Sequence, residues 1–182
     1  MRMQALRLVV LALFAAGCGS DDSGTSSSSS GNCTDSLPAA QEKSNSLYTN
    51  NGDGTITDQE TNLSWAACSL GQSNDASCSG TADIYSWADA LNAAQTANAD
   101  SFLGHSDWRL PNVTELASLV DSHCEDVAIN SDVFPSTVEN QYWSSTPGPN
   151  ARAWLVDFAK GGAIYHAVKR GELPVRLVRG GQ

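Results

Sequence analysis

Trp108-Arg-Leu-Pro-Asn112-Val-Thr-Glu115-Leu116 is the stretch on which the reading of this 182-residue chain turns. Asn112 followed by Glu115 approximates a capping box. The Asn side chain accepts from a helical N–H while the Glu reaches back to the N–H of the cap itself. Pro111 fixes the entry, and Val113, Leu116, Leu119 and Val120 then recur at helical spacing as a buried stripe. Just before the cap, Arg109 interrupts an apolar extended segment, and Arg176 does the same near the end of the chain. A guanidinium between apolar neighbours needs carboxylate or carbonyl partners. Asp107, Asp121 and Asp157 are near in sequence, so both arginines are expected to fix the fold before they bind anything. Arg179, close to the end, fits either role.

Upstream of this helix the pattern predicts another over 84–97. Asp83 is the expected cap, and Ile84, Trp87, Ala88, Leu91 and Ala94 fall on one face. Further back, Asn51-Gly-Asp-Gly-Thr-Ile-Thr-Asp58 carries Asn-Gly and Asp-Gly, which accept positive φ and mark hairpin turns. The turn leads into a strand at Leu63-Ser64-Trp65. The same stretch has a calcium-loop alternative with Asn51, Asp53 and Glu60 as ligands. Its first position would be Thr49, which lacks a carboxylate, and neither flank is an amphipathic helix. Downstream the pattern shifts to short strands at 142–146, 153–159, 163–169 and 175–178, with Gly161-Gly162 as a turn. Strands at both ends around two helices define an α+β class, not a βαβ repeat. Five tryptophans bring large apolar areas, and at least four are expected in the core.

The formal charge is −10, and it is unevenly spread. From residue 150 onward six basic side chains face two acidic ones, whereas residues 18–149 hold 18 acidic against two basic. The acidic total argues against nucleic acid as a partner. Residues 1–17 read as an export signal, with Arg2 and Arg7 ahead of an apolar run over 8–16. That run is shorter than the ~20 residues a bilayer needs. Leu13-Phe-Ala-Ala-Gly-Cys18 resembles the lipobox of bacterial lipoproteins, which implies an acyl chain on Cys18 and membrane attachment through it. Residues 18–44, rich in Ser and Gly, have almost nothing to bury and read as a flexible leash. By the same resemblance, Gly19 after the anchored Cys implies the outer membrane of the cell envelope. The folded unit is then 45–182.

Four cysteines remain. An even number in an exported domain implies disulfides, with three possible connectivities. Cys68 and Cys78 bracket a short polar loop and are paired first, which leaves Cys33 with Cys124. No Cys-x-x-Cys is present, and His105 and His123 lack ligand spacing, so no metal or other cofactor is expected.

Several phrases in order carry a family resemblance: Asn51-Gly-Asp-Gly-Thr-Ile-Thr-Asp58, Cys68-Ser-Leu-Gly-Gln72, Trp108-Arg-Leu-Pro-Asn112 with Glu115-Leu116, Phe134-Pro135, Tyr142-Trp-Ser-Ser145 and Val175-Arg-Leu-Val-Arg-Gly180. Over about residues 46–180 they resemble the C-terminal domain of the Legionella collagen-like protein (the Lcl C-terminal domain). The resemblance implies a C-type-lectin-like fold, with two helices on small antiparallel sheets and paired N- and C-terminal strands. The collagen-like relative is an adhesin for sulfated glycans, so the resemblance also implies polyanion binding. Its collagenous repeats are missing here, and with them the avidity of a trimer. The Glu-Pro-Asn and Trp-Asn-Asp motifs of calcium-dependent lectins are absent, which removes a calcium-bridged sugar site.

No Gly-x-Ser-x-Gly elbow or comparable nucleophile arrangement appears. The formylglycine-generating enzymes share the lectin-like architecture but need cysteines beside the C-terminal sheet, and this chain has none after Cys124. Catalysis is therefore not expected. A non-enzymatic binding module is the reading adopted, recognising glycans, polyanions or a protein partner. A structural or assembly role in the envelope is the alternative. The candidate ligand-binding residues are Asn150, Arg152, Trp154, Lys160, Tyr165, His166, Lys169 and Arg170, because aromatic and cationic groups together suit sugars and anionic polymers.

Overall fold

The computed structural model describes residues 44–122, 124 and 127–180. The expected signal, the anchor at Cys18, the leash, and Cys33 and His123 lie outside the described residues. The elements run β1 (Tyr48–Asn50), β2 (Thr55–Asp58), β3 (Ser64–Ala66), α1 (Trp87–Ala99), α2 (Val113–Ala117), β4 (Gln141–Pro147), β5 (Arg152–Asp157), β6 (Ala163–Val168) and β7 (Val178–Arg179). They form two antiparallel sheets, ordered β1-β2-β3-β7 and β4-β5-β6. The chain is α+β, as its pattern predicts. The closing strand pairs with β3, Trp65 opposite Val178, so both ends of the domain share one sheet while β1 lies at its far edge.

The turn between β1 and β2 is the expected hairpin. Gly52 and Gly54 take φ of +80° and +87°, values that a Cβ opposes. Asp53 Oδ1 accepts from Thr55 N at 2.9 Å and from Thr55 Oγ1 at 2.6 Å. Hydrogen bonds from the Thr55 hydroxyl, first among several causes, hold the Asp53 carboxyl below its usual range.

Helix α1 starts three residues later than its apolar spacing suggests. Ser86, not Asp83, is the cap, accepting from Asp89 N at 3.3 Å. Tyr85 is held extended by reciprocal backbone bonds to Leu173, each 3.0 Å, so Ile84 lies outside the helix and is 55% exposed. Ala90, Ala94 and Ala97 form the buried face. Helix α2 begins at Asn112, with both halves of the capping box in place.

Two apolar clusters fill the domain. Tyr142 and Val156, opposite one another across β4 and β5, belong to one with Trp65, Leu116, Leu119 and Phe134. Trp143 and Leu155, the next pair along, belong to the other with Ala90, Trp108 and Leu177. Successive strand residues point to opposite faces, so the β4-β5-β6 sheet is packed on both sides. Trp65, Trp108 and Trp143 are buried, whereas Trp87 and Trp154 are half-exposed. Three tryptophans, not four or more, are thus core.

Both arginines fix the fold, with partners that differ from those expected. Arg109 makes a two-pronged pair with Glu115 at 2.7 and 2.8 Å and donates to Gly180 O at 2.9 Å. Arg176 is fully buried and has no carboxylate partner among the described residues. It donates to Ala66 O at 2.8 Å, to Ala67 O and to Thr137 Oγ1 at 2.8 Å, and lies 4.9 Å from the Phe134 ring. Desolvation lowers its pKa to about 10, so it remains charged at neutral pH. Arg179 pairs with Asp107 at 2.7 Å. Cys68 and Cys78 form the expected disulfide, and Cys124 is also disulfide-bonded.

Candidate functional site

The eight candidate residues lie on the ribbon formed by β5 and β6 and on its two ends. The pairing register settles their faces. Arg152, Trp154 and Val156 of β5 stand opposite Val168, His166 and Ile164 of β6, and these six share one face. Ala153, Leu155 and Asp157 stand opposite Ala167, Tyr165 and Ala163 on the other.

On the first face Val156 is covered by the core, but the chain beyond it opens to solvent. The Trp154 and His166 rings meet edge to face at 5.1 Å. Arg152 Nη1 lies 3.3 Å from His166 Nδ1. Ile164 and Val168 flank His166 on this face and are 49% and 44% exposed. Arg152, Trp154 and His166 therefore form one cationic-aromatic group.

Tyr165 is on the inner face and does not join that group. Its hydroxyl donates to the buried Asp157 carboxylate and accepts from Gln141 Nε2. Desolvation, then the Asp157 hydrogen bond and charge, pushes its pKa up to about 12. Its part is to tie β6 to β4 across β5.

Asn150, Lys169 and Arg170 lie at the Arg152 end of the ribbon. Asn150 sits in the turn before β5 with φ +53°. Lys169 N donates to Ala151 O at 3.3 Å, which joins that turn to the end of β6. The Lys169 ammonium sits 3.8 Å over the Trp87 ring, and its carbonyl accepts from Trp87 N at 2.9 Å. Lys169 is thereby committed to the start of α1, and Arg170 is exposed. Lys160 stands alone at the opposite end, before the Gly161-Gly162 turn. The structure thus unites Asn150, Arg152, Trp154, His166, Lys169 and Arg170 in one region and leaves Tyr165 and Lys160 outside it.

Residues 51–60 make no comparable site. The Asn51 amide is bound to Thr55 and Thr57 hydroxyls, Asp53 faces His105 at 3.5 Å, and Glu60 lies beyond the end of β2. No group of three His, Cys, Asp or Glu is arranged for a metal among the described residues. Sequence reasoning missed a 380 Å³ cleft along α1 whose lining includes Asp83, Asp89, Asp100 and Tyr85 with Leu70 and Phe102. Its walls come from residues 70–71 and from 83–102, and no local spacing joins the first segment to the second. None of its lining residues belongs to the ribbon.

The chain is an α+β domain whose closing strand joins the N-terminal strands in one sheet, with a cationic-aromatic face on its C-terminal ribbon. Residues 54–179 match the model of the Lcl C-terminal domain, and the chain belongs to that family. The matched segment contains every candidate residue of the ribbon. No curated protein matches the chain.

Proposed function

We propose that this chain is a non-enzymatic recognition module, held at the outer membrane by a lipid on Cys18, that binds a polyanionic ligand through its C-terminal ribbon. A sulfated or carboxylated glycan is the ligand class that suits it. The observation that carries this reading is the joining of Arg152 to the partly open Trp154–His166 pair, with Arg170 exposed at the same end of the ribbon, in a chain otherwise strongly acidic. Cations supply attraction to sulfate or carboxylate groups, and the half-exposed Trp154 indole offers an apolar edge to a sugar ring. The acidic remainder repels such a polymer and confines it to the ribbon.

The test is binding of the full chain to immobilised heparin-like and neutral glycans across a salt gradient. The expected result is retention on the sulfated polymer alone, released as salt rises. Arg152→Ala and Arg170→Ala should each weaken binding about two- to fivefold, as exposed charge pairs do. Lys169→Ala should weaken it less, because that ammonium already faces Trp87. No affinity at any salt, with copurification of envelope proteins, would instead favour the structural or assembly role.

A further inference from the structure

We infer that β6 is a self-complementary edge at which a second copy of this chain adds in antiparallel register, joining two three-stranded sheets into one of six. Lys169 N bonds Ala151 O, directly opposite it, and Phe158 N bonds Asn140 O on the other side of β5. Alternation along an antiparallel pair then turns the odd-numbered residues of β6 toward β5. The N–H groups of Ile164, His166 and Val168, with the Ile164 and His166 carbonyls, face outward. Sheet order leaves β6 at the edge, and no described residue pairs with that side.

The edge lacks the features that protect such strands. Ala163-Ile-Tyr-His-Ala-Val168 has no charge and no proline, and its pairing with β5 runs through six residues without a bulge. The side chains select the occupant. Ile164 and Val168 are the two large exposed apolar residues of the ribbon, and they stand symmetrically two positions either side of His166. A two-fold axis at His166 places Ile164 of each copy opposite Val168 of the other and His166 opposite itself. That is the isologous pattern of a symmetric dimer. A heterologous peptide would find no charge within the strand to read, whereas a second copy matches the apolar pair.

An edge-to-edge contact is small, so the pairing is weak in dilute solution. A shared membrane surface would raise the effective concentration. The dimer face would carry the row Trp154–His166–His166–Trp154 with an Arg152 at two corners. This last consequence, unlike the pairing itself, rests on the polyanion reading.

The test needs no ligand. Variants of the full chain that each carry one added cysteine are mixed under mild oxidation, and the linked peptides are identified by mass spectrometry. His166→Cys should give a covalent dimer linked 166 to 166, because directly opposed Cα atoms lie within disulfide reach. Ile164→Cys should not link to itself but should link to Val168→Cys. Sedimentation of the unmodified chain should show concentration-dependent dimers that persist in salt and vanish in Ile164→Lys. Amides of Ile164, His166 and Val168 should gain exchange protection with concentration. A monomer at all concentrations with those amides unprotected would overturn the inference. So would self-linking of Ile164→Cys as efficient as that of His166→Cys, or protection of the three amides in a chain that stays monomeric. Loss of heparin binding alone would bear only on the proposed function.

Discussion

Replacing Glu115 is the sharpest probe of how this fold is held. Its carboxylate takes both Arg109 prongs at 2.7 and 2.8 Å and also accepts from Asn112 N at 2.8 Å. Arg109 in turn holds Gly180 O at 2.9 Å, so one acid links the α2 cap to the end of the chain. The two side chains are 24% and 17% exposed, which limits solvent screening. Charge-assisted hydrogen bonds at such a site are worth about 1.5–3 kcal/mol, and half a capping box adds about 0.5–1. Glu115→Ala should therefore cost about 2–4 kcal/mol, and Glu115→Gln, which still reaches the cap N–H, about 1–2. For a domain of this size the first corresponds to a fall in Tm of roughly 6–16 °C.

The pH dependence has a definite sign. Burial raises the Glu115 carboxyl pKa, but the Arg109 hydrogen bonds, the Asn112 N–H and the Arg109 charge outweigh it, and the net shift is downward. A depressed carboxylate gives stability that is present above its unfolded value, about 4.3, and lost as pH falls through the folded value. Urea unfolding followed by tryptophan fluorescence, from pH 7 to pH 3 with disulfides intact, reads both effects. Glu115→Gln should flatten the acid limb, and the Arg109→Ala/Glu115→Ala cycle should give a coupling of about 1–2 kcal/mol. If Glu115→Gln and Glu115→Ala both unfold within ~0.5 kcal/mol of the parent, with an unchanged acid limb, the reasoning fails.

Three further outcomes follow from single sites. Arg176→Met should destabilise by about 3–5 kcal/mol in chemical denaturation, because it strands the Ala66 and Ala67 carbonyls in the core. Cys68→Ala/Cys78→Ala, which opens a loop of sequence separation 10, should cost about 2–3 kcal/mol at 25 °C from unfolded-state entropy, measured the same way. Tyr165 and Tyr85, each pushed to about 12 with burial the largest cause, give stability that is full below about pH 10 and lost as pH rises through the folded values. Asp157→Asn should therefore lower the stability at neutral pH but flatten its fall above about pH 10, read by urea unfolding and tyrosinate absorbance.

The sequence and the structure agree where a local rule dictates the backbone. Asn51 to Gly54, the Asn112–Glu115 cap and the Gly161-Gly162 turn are each set by residues within a few positions of one another, and their forms were legible. The Cys68–Cys78 pairing was legible for the same reason. The start of α1 was not, because long-range pairing of Tyr85 with Leu173 overrides the helical spacing of Ile84. The last strand was legible only in part. Val175 and Leu177 bond to the extension of β3 through single carbonyls, and a regular ladder forms only at Val178 and Arg179. Of the candidate site, the strands and their residues were legible but the faces were not. Spacing of two put Tyr165 and Ala167 on one side and His166 on the other, and only the core behind them decides which side is open. Lys169 over Trp87 joins residues 82 apart in the chain, beyond the reach of any local pattern.

Polyanion binding by the open face of the ribbon is the central claim. The most direct measurement is NMR shift mapping of the full chain titrated with a sulfated oligosaccharide at low salt. The largest changes are expected on Arg152, the Trp154 indole N–H, His166 and Arg170, fading as salt is added. Changes centred on the α1 cleft or on Arg179, or none at low salt, would contradict it.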